Sequence, residues 1–82
     1  MNPRVKAVRP NSDFTITITF SNGEVRRFDV RPYLPFGIFQ ELKDPALFST
    51  ARPILGSVQW KGGQDFCPDT LYQESVPEPA AL

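Results

Sequence analysis

The sequence predicts an α+β domain: a small antiparallel sheet with short helices in the middle and near the C-terminus. Three observations carry this. Phe14, Ile16, Ile18 and Phe20 alternate strictly with Thr15, Thr17 and Thr19. Asn22-Gly23 follows at once, with a second β-prone run behind it. From Val30 onward the apolar period lengthens from two residues to that of a helix.

The elements follow in order. Arg4 to Arg9 reads as a first strand between Pro3 and Pro10, with Val5 and Ala7 on one side and Lys6 and Val8 on the other. Pro10-Asn11-Ser12-Asp13 is turn chemistry. In Phe14 to Phe20, period two puts four apolar groups on one face and three threonines on a face that antiparallel sheets often leave to solvent. Asn22-Gly23 suits the two positive φ angles of a type I′ turn. A two-residue hairpin would then bury Val25 and expose Phe28. A bulge at Arg26-Arg27 is expected to restore the phase, bringing Val25, Phe28 and Val30 to the core together, because an exposed phenylalanine forfeits about 1.5–3 kcal/mol.

Pro32-Tyr33-Leu34 reads as one helical turn, and Pro35-Phe36-Gly37 ends it. Ile38, Phe39 and Leu42 recur at helical spacing over Ile38 to Lys43. Asp44-Pro45 is an N-cap with proline at the first helical position, opening a helix from Pro45 to Ser49. Leu55 and Gly56 precede a strand from Ser57 to Trp60. The turn Lys61-Gly62-Gly63-Gln64 leads to a partner strand, Asp65 to Cys67. Pro68 to Tyr72 reads as a last helical turn. The expected organisation is a single domain over residues 1–75, with a disordered tail over 76–82.

Composition bounds the rest. Eighty-two residues make one domain, which buries about 60–65% of its unfolded surface. Seven phenylalanines, two tyrosines and one tryptophan supply an aromatic core. Net charge is zero, so global charge predicts neither nucleic acid nor an acidic membrane as partner. Its distribution is uneven. Residues 1–31 hold six cations against three carboxylates, and residues 32–82 hold three against six. Cys67 stands alone, which excludes an internal disulfide. No leader pattern or spanning apolar run is present. A cytoplasmic setting is expected.

The chemistry-bearing residues are few. With no histidine there is no imidazole ligand for a transition metal and no base for Cys67, and the thiol is expected to be buried and inert. Asp65 and Asp69 could form a carboxylate pair, but a turn and a first helical turn account for both. Gly62-Gly63 lacks the Lys-Ser/Thr ending of a phosphate loop. Arg26, Arg27 and Arg31 form a basic stripe, expected to be solvated or paired internally, with Asp29 as one partner. Trp60, Tyr72 and Tyr33 are core or hot-spot candidates. No enzyme activity and no cofactor is expected. The candidate interaction surface is Arg26, Arg27, Arg31, Trp60, Asp65, Asp69 and Tyr72. Another small protein is the expected partner, or a second copy paired through a sheet edge. Nucleic-acid binding is the alternative.

Two blocks carry a known pattern. One is Phe20-Ser-Asn-Gly-Glu-Val-Arg-Arg-Phe-Asp-Val30 with Pro32-Tyr-Leu34. The other is Val58-Gln-Trp60 with Asp65-Phe-Cys-Pro-Asp-Thr-Leu-Tyr72. Gly37-Ile-Phe-Gln-Glu-Leu42 and Asp44-Pro-Ala-Leu-Phe48 lie between them. In this order they resemble the small bacterial family called domain of unknown function 2442, over roughly residues 4–75. The resemblance implies a compact α+β domain with an antiparallel sheet and no established activity. Longer members append a helix-turn-helix segment, which suggests a regulatory setting. None follows Tyr72 here, so DNA binding does not carry over. Short members are often encoded beside another small protein, an arrangement similar to a toxin–antitoxin module, which implies partner binding. The resemblance supplies no catalytic residue.

Overall fold

The computed structural model describes residues 2–78. It contains a four-stranded antiparallel sheet and a three-stranded antiparallel sheet. The first sheet is built from β1 (Val5–Pro10), β2 (Thr15–Phe20), β3 (Val25–Asp29) and β7 (Val76–Pro77). The second uses β4 (Arg52–Ile54), β5 (Ser57–Gln59) and β6 (Asp65–Phe66). Between β3 and β4 the chain makes two 3-10 segments, Arg31–Tyr33 and Gly37–Lys43, then the single-turn helix α1 (Pro45–Phe48). Helix α2 (Pro68–Glu74) follows β6. This is the α+β architecture that the sequence predicts.

The main hairpin differs from expectation in one residue, and that residue decides the sheet. The Gly23 N–H donates to Phe20 O (2.9 Å) and the Phe20 N–H to Glu24 O (2.8 Å). The loop is therefore three residues long, with positive φ at Gly23 (89°) but not at Asn22. This is the three-residue hairpin in which a left-handed glycine closes a type I turn. The extra residue sits in the loop rather than at Arg26-Arg27, and β3 runs without a bulge. Ile16 faces Phe28 and Ile18 faces Arg26. Phe28 and Val30 are buried as expected. Val25 is not: it lies opposite Thr19 on the threonine face, 43% exposed.

A bulge does occur in β1, between Val5 and Ala7. It overturns the expected pairing of those two side chains on one face. Val5 opposes Phe20 and Val8 opposes Ile18, while exposed Ala7 joins Thr19. Ile38 also departs from expectation at 57% exposed. In a 3-10 segment residues three apart share a side, so Phe39 and Leu42 pack inward and Ile38 faces out. Asp44 caps α1 as its sequence requires, its carboxylate accepting from the Ala46 N–H (3.0 Å).

The expected tail begins too early. Val76 pairs with Arg27 and Pro77 with Arg26, so β7 covers the edge of β3. A two-residue strand has no local signal; it forms because β3 offers unpaired backbone groups beside it. The remainder of the expected tail, 79–82, lies outside the described residues.

All the packing falls on one side of the first sheet. Ile16, Ile18, Phe20 and Phe28 form one cluster with Leu42, Phe48, Val58, Trp60, Phe66 and Leu71, so both helices and the second sheet cover the same face. Phe66 meets Phe28, Tyr33, Phe39 and Trp60 at centroid distances of 4.9–5.9 Å, within the range in which aromatic pairs add to area burial. Trp60 is 1% exposed and its Nε1–H donates to Phe48 O (2.9 Å).

Candidate interaction surface

The register of β3 sends neighbouring arginines to opposite faces, since successive side chains alternate across a strand. Arg26 points to the covered face. Its Nε donates to Ser75 Oγ (2.7 Å), Nη2 to Ser75 O (2.7 Å) and Nη1 to Glu24 (3.1 Å). Tyr72 lies beneath it, turns its ring edge to Phe20 and donates its hydroxyl to Glu24. That bond holds the Glu24 carboxyl below its ordinary range and pushes the Tyr72 phenol up. Arg26 and Tyr72 are thus a clasp between β3 and α2.

Arg27 points to the other face and its Nη2 bonds Glu78 (2.6 Å). Arg31 makes a two-pronged pair with Asp29 at 2.9 Å, the pairing expected, and this lowers the Asp29 carboxyl. All three arginines of the basic stripe are therefore matched by carboxylates of the same chain. Trp60 is core rather than surface. Asp65 is exposed on β6, and Asp69 in the first turn of α2 accepts from Asn2 (3.1 Å). Among the described residues no three His, Cys, Asp or Glu side chains cluster as metal ligands. Cys67 overturns its expected burial. It is exposed because it caps α2, its sulfur facing the Thr70 N–H and hydroxyl at 3.4 and 3.1 Å. The Thr70 contacts lower the thiol pKa.

The expected surface residues therefore do not converge on one patch. Among the described residues, the outer face of the first sheet is instead left open. Two cross-strand rows cross it. Ala7, Thr19 and Val25 align in one, extended by Glu78 through its N–H bond to Val25 O (3.0 Å). Arg9, Thr17, Arg27 and Val76 align in the other. The face forms an open concavity of about 300 Å³. Val76 is 57% exposed. At the far end Thr15 is buried, its hydroxyl shared by Asn11 and Asp13. The threonine alternation pointed to this face, while Ala7, Val25 and Val76 depended on register.

The edges are less available than the face. The Asn11 N–H bonds Thr15 O (2.8 Å), a phase that turns the backbone of Val8 and Pro10 away from β2. The Glu78 bond to Val25 likewise turns Pro77 outward. Pro10 and Pro77 thus occupy outward positions on both edge strands, where a proline offers an incoming strand no N–H. The β1 bulge and Lys6 protect that edge further.

Among the described residues no helix is long and apolar enough to cross a membrane. A protein-family model described as "Protein of unknown function (DUF2442)" matches residues 5–77. No curated protein and no solved structure matches the chain.

Proposed function

We propose that this chain, which belongs to the DUF2442 family of proteins of unknown function, is a non-enzymatic protein-interaction module that works through the outer face of its four-stranded sheet. One observation carries the reading. Among the described residues an intact antiparallel face with three apolar side chains, two arginines and a carboxylate lies uncovered, while the opposite face of the same sheet is packed into the core. Contact patches of this kind pair an apolar centre with a polar rim. The partner is a small protein, and the chain is the antitoxin-like member of the pair. That last step rests on the resemblance to short family members encoded beside a second gene.

The same face argues against the nucleic-acid alternative. Single-strand binders need exposed stacking aromatics beside their cations, and no aromatic residue belongs to either row.

The experiment is co-purification of the tagged chain from its own host at native expression, in parallel with Thr19→Arg and Val25→Glu. A stoichiometric partner that both substitutions remove, at unchanged melting temperature, is the expected result. Equal capture by all three chains would refute the assignment of the face.

A further inference from the structure

Glu78 stands on the outer face as an anion that the chain supplies to itself. Its backbone extends one cross-strand row, at Val25, and its carboxylate reaches the other. There Oε1 accepts from Arg27 Nη2 (2.6 Å), while Oε2 lies 3.5 Å from Thr17 Oγ1. The first contact is a short ion pair. The second exceeds the roughly 2.5–3.0 Å of an O–H···O bond. Thr17 keeps its proton to give, because Asn11 Nδ2 donates to the same oxygen (3.0 Å). Arg27 is under-matched too. Its Nε is buried without an acceptor among the described residues, although an arginine fork offers a carboxylate two parallel N–H bonds. Glu78 therefore holds the row through one good bond and leaves two donors beside it unmet.

Arg9 stands at the β1 end of this row, opposite Thr17. It is exposed and has no carboxylate partner among the described residues. Arg4, Lys6 and Arg9 all precede the first acid of the sequence, Asp13. Asp13 is bonded instead to the Thr15 N–H and hydroxyl (3.1 and 2.6 Å). It acts on Asp29 and Arg31 at the far end, where Thr15 opposes Asp29. The face is thus polarised. Two carboxylates against one arginine mark the Thr15–Asp29 end, and an unmatched cation marks β1. Arg9 and Arg27 are two strand spacings apart, about 10 Å, with the Thr17 hydroxyl between them.

We infer, on the reading that this face is the contact surface, that the row Arg9–Thr17–Arg27 receives an acidic side chain of the protein partner, and that Glu78 occupies its place in the free chain until the partner's carboxylate displaces it. The occupant is a carboxylate because the row holds one now and has donors left for a better-placed one. Strand β7 stays in place during the exchange. The Glu78 N–H bond to Val25 O (3.0 Å) belongs to the main chain, so rotation of the Glu78 side chain alone opens the row. The pair given up is partly exposed, 40% at Arg27 and 22% at Glu78, and such pairs are weak in water. The incoming acid gains Arg9, Thr17 and Arg27 together. Glu78 also makes the face selective. An uncharged segment can cover Ala7, Val25 and Val76, but it has nothing with which to replace Glu78 at Arg27.

The probe is the peptide acetyl-Val-Glu-Val-Glu-Val-amide, with glutamine and lysine versions beside it, titrated into the full ¹⁵N-labelled chain to about 10 mM at low salt, a range that detects millimolar binding. The glutamate peptide should move the backbone N–H signals of Arg9, Thr17 and Arg27 and the Nε–H signals of both arginines, and added salt should reverse this. Glu78→Gln should tighten binding about threefold or more, and Arg9→Gln should weaken it by a similar factor, the scale of an exposed ion pair. Backbone spectra of both variants should otherwise match the parent. Equal shifts with the glutamine peptide would overturn the inference while leaving the face a contact surface. No shift in this row with any peptide also overturns it, and the loss of partner capture in Thr19→Arg and Val25→Glu then judges the face separately. A larger response to a single-stranded oligothymidylate, or tighter binding that Glu78→Gln fails to produce, counts against it as well.

Discussion

The guanidinium of Arg26 lies 4.8 Å from the centroid of the Tyr72 ring, on the covered side of the sheet. Its side chain is 15% exposed, whereas that of Arg31 is 60% exposed. Two arginines five residues apart therefore differ in energetic role. Arg26→Ala removes charge-assisted bonds to Ser75 and Glu24 together with the ring contact, and should cost about 2 kcal/mol. Arg31→Ala breaks an exposed pair and should cost less than about 0.5 kcal/mol. Urea unfolding of both variants measures the difference. Arg26→Lys should recover little, because lysine lacks the planar fork that reaches Ser75 twice.

The hairpin register makes a second contrast. Phe28 is 1% exposed and touches Tyr33 and Phe66, while Val25 stands in the open. Phe28→Ala should destabilise by about 3–5 kcal/mol. Val25→Ala, on the outer face of the same strand, should stay within about 0.5 kcal/mol. Urea unfolding of the two variants compares them. Equal losses would mean that β3 pairs one residue out of phase.

Two tyrosine–carboxylate bonds contribute to the pH dependence of stability. Glu24 is held below its ordinary value of 4.5, first by the Tyr72 hydroxyl and then by Asn22. A carboxyl lowered in the folded state contributes stability above its unfolded pKa and loses it as pH falls. The melting temperature should therefore decline below about pH 4.5, and Tyr72→Phe should reduce the part of that decline owed to Glu24. Tyr33 works at the opposite limit. Its bond to Glu74 pushes the phenol from 10.0 up to about 12. A phenol raised in the folded state stabilises below its unfolded pKa, and that contribution is lost as pH rises from 10.0 to about 12. Thermal melts of Tyr33→Phe should lack this alkaline component.

Cys67 should be alkylated in the native protein. Exposure and the Thr70 contacts both favour its thiolate. Iodoacetamide labelling at neutral pH, followed by intact mass, should show one rapid addition, slowed in Thr70→Ala. A native protein that resists labelling would contradict the placement of Cys67 at the cap.

The elements legible in the sequence are those written locally. The alternation of Ile16 and Ile18 with threonines specifies β2 and both its faces. Asp44 and Pro45 specify the start of α1. Features that depend on tertiary pairing were not legible. Asn22-Gly23 fits a two-residue or a three-residue loop, and only the Phe20–Glu24 bond distinguishes them. That one residue reverses every side chain of β3. It sends Arg26 into a clasp, Arg27 to the outer face and Val25 into solvent, dividing what reads in sequence as a single basic stripe. Strand β7 is invisible for the same reason, because Val76 and Pro77 become a strand only beside β3. Cys67 precedes Pro68 as a cap would, but a buried thiol is the commoner expectation.

The central claim is that the outer sheet face is covered by another protein in the cell. A Thr19→Cys chain tests it directly, with exposed Cys67 on α2 as an internal reference. Cell-permeable thiol labelling in the native host, compared with labelling of the purified chain, reads both positions by mass spectrometry. Cys67 should react equally in both settings, while position 19 should react freely in the purified chain and be protected in the cell. Equal reactivity at position 19 in both settings would contradict the claim.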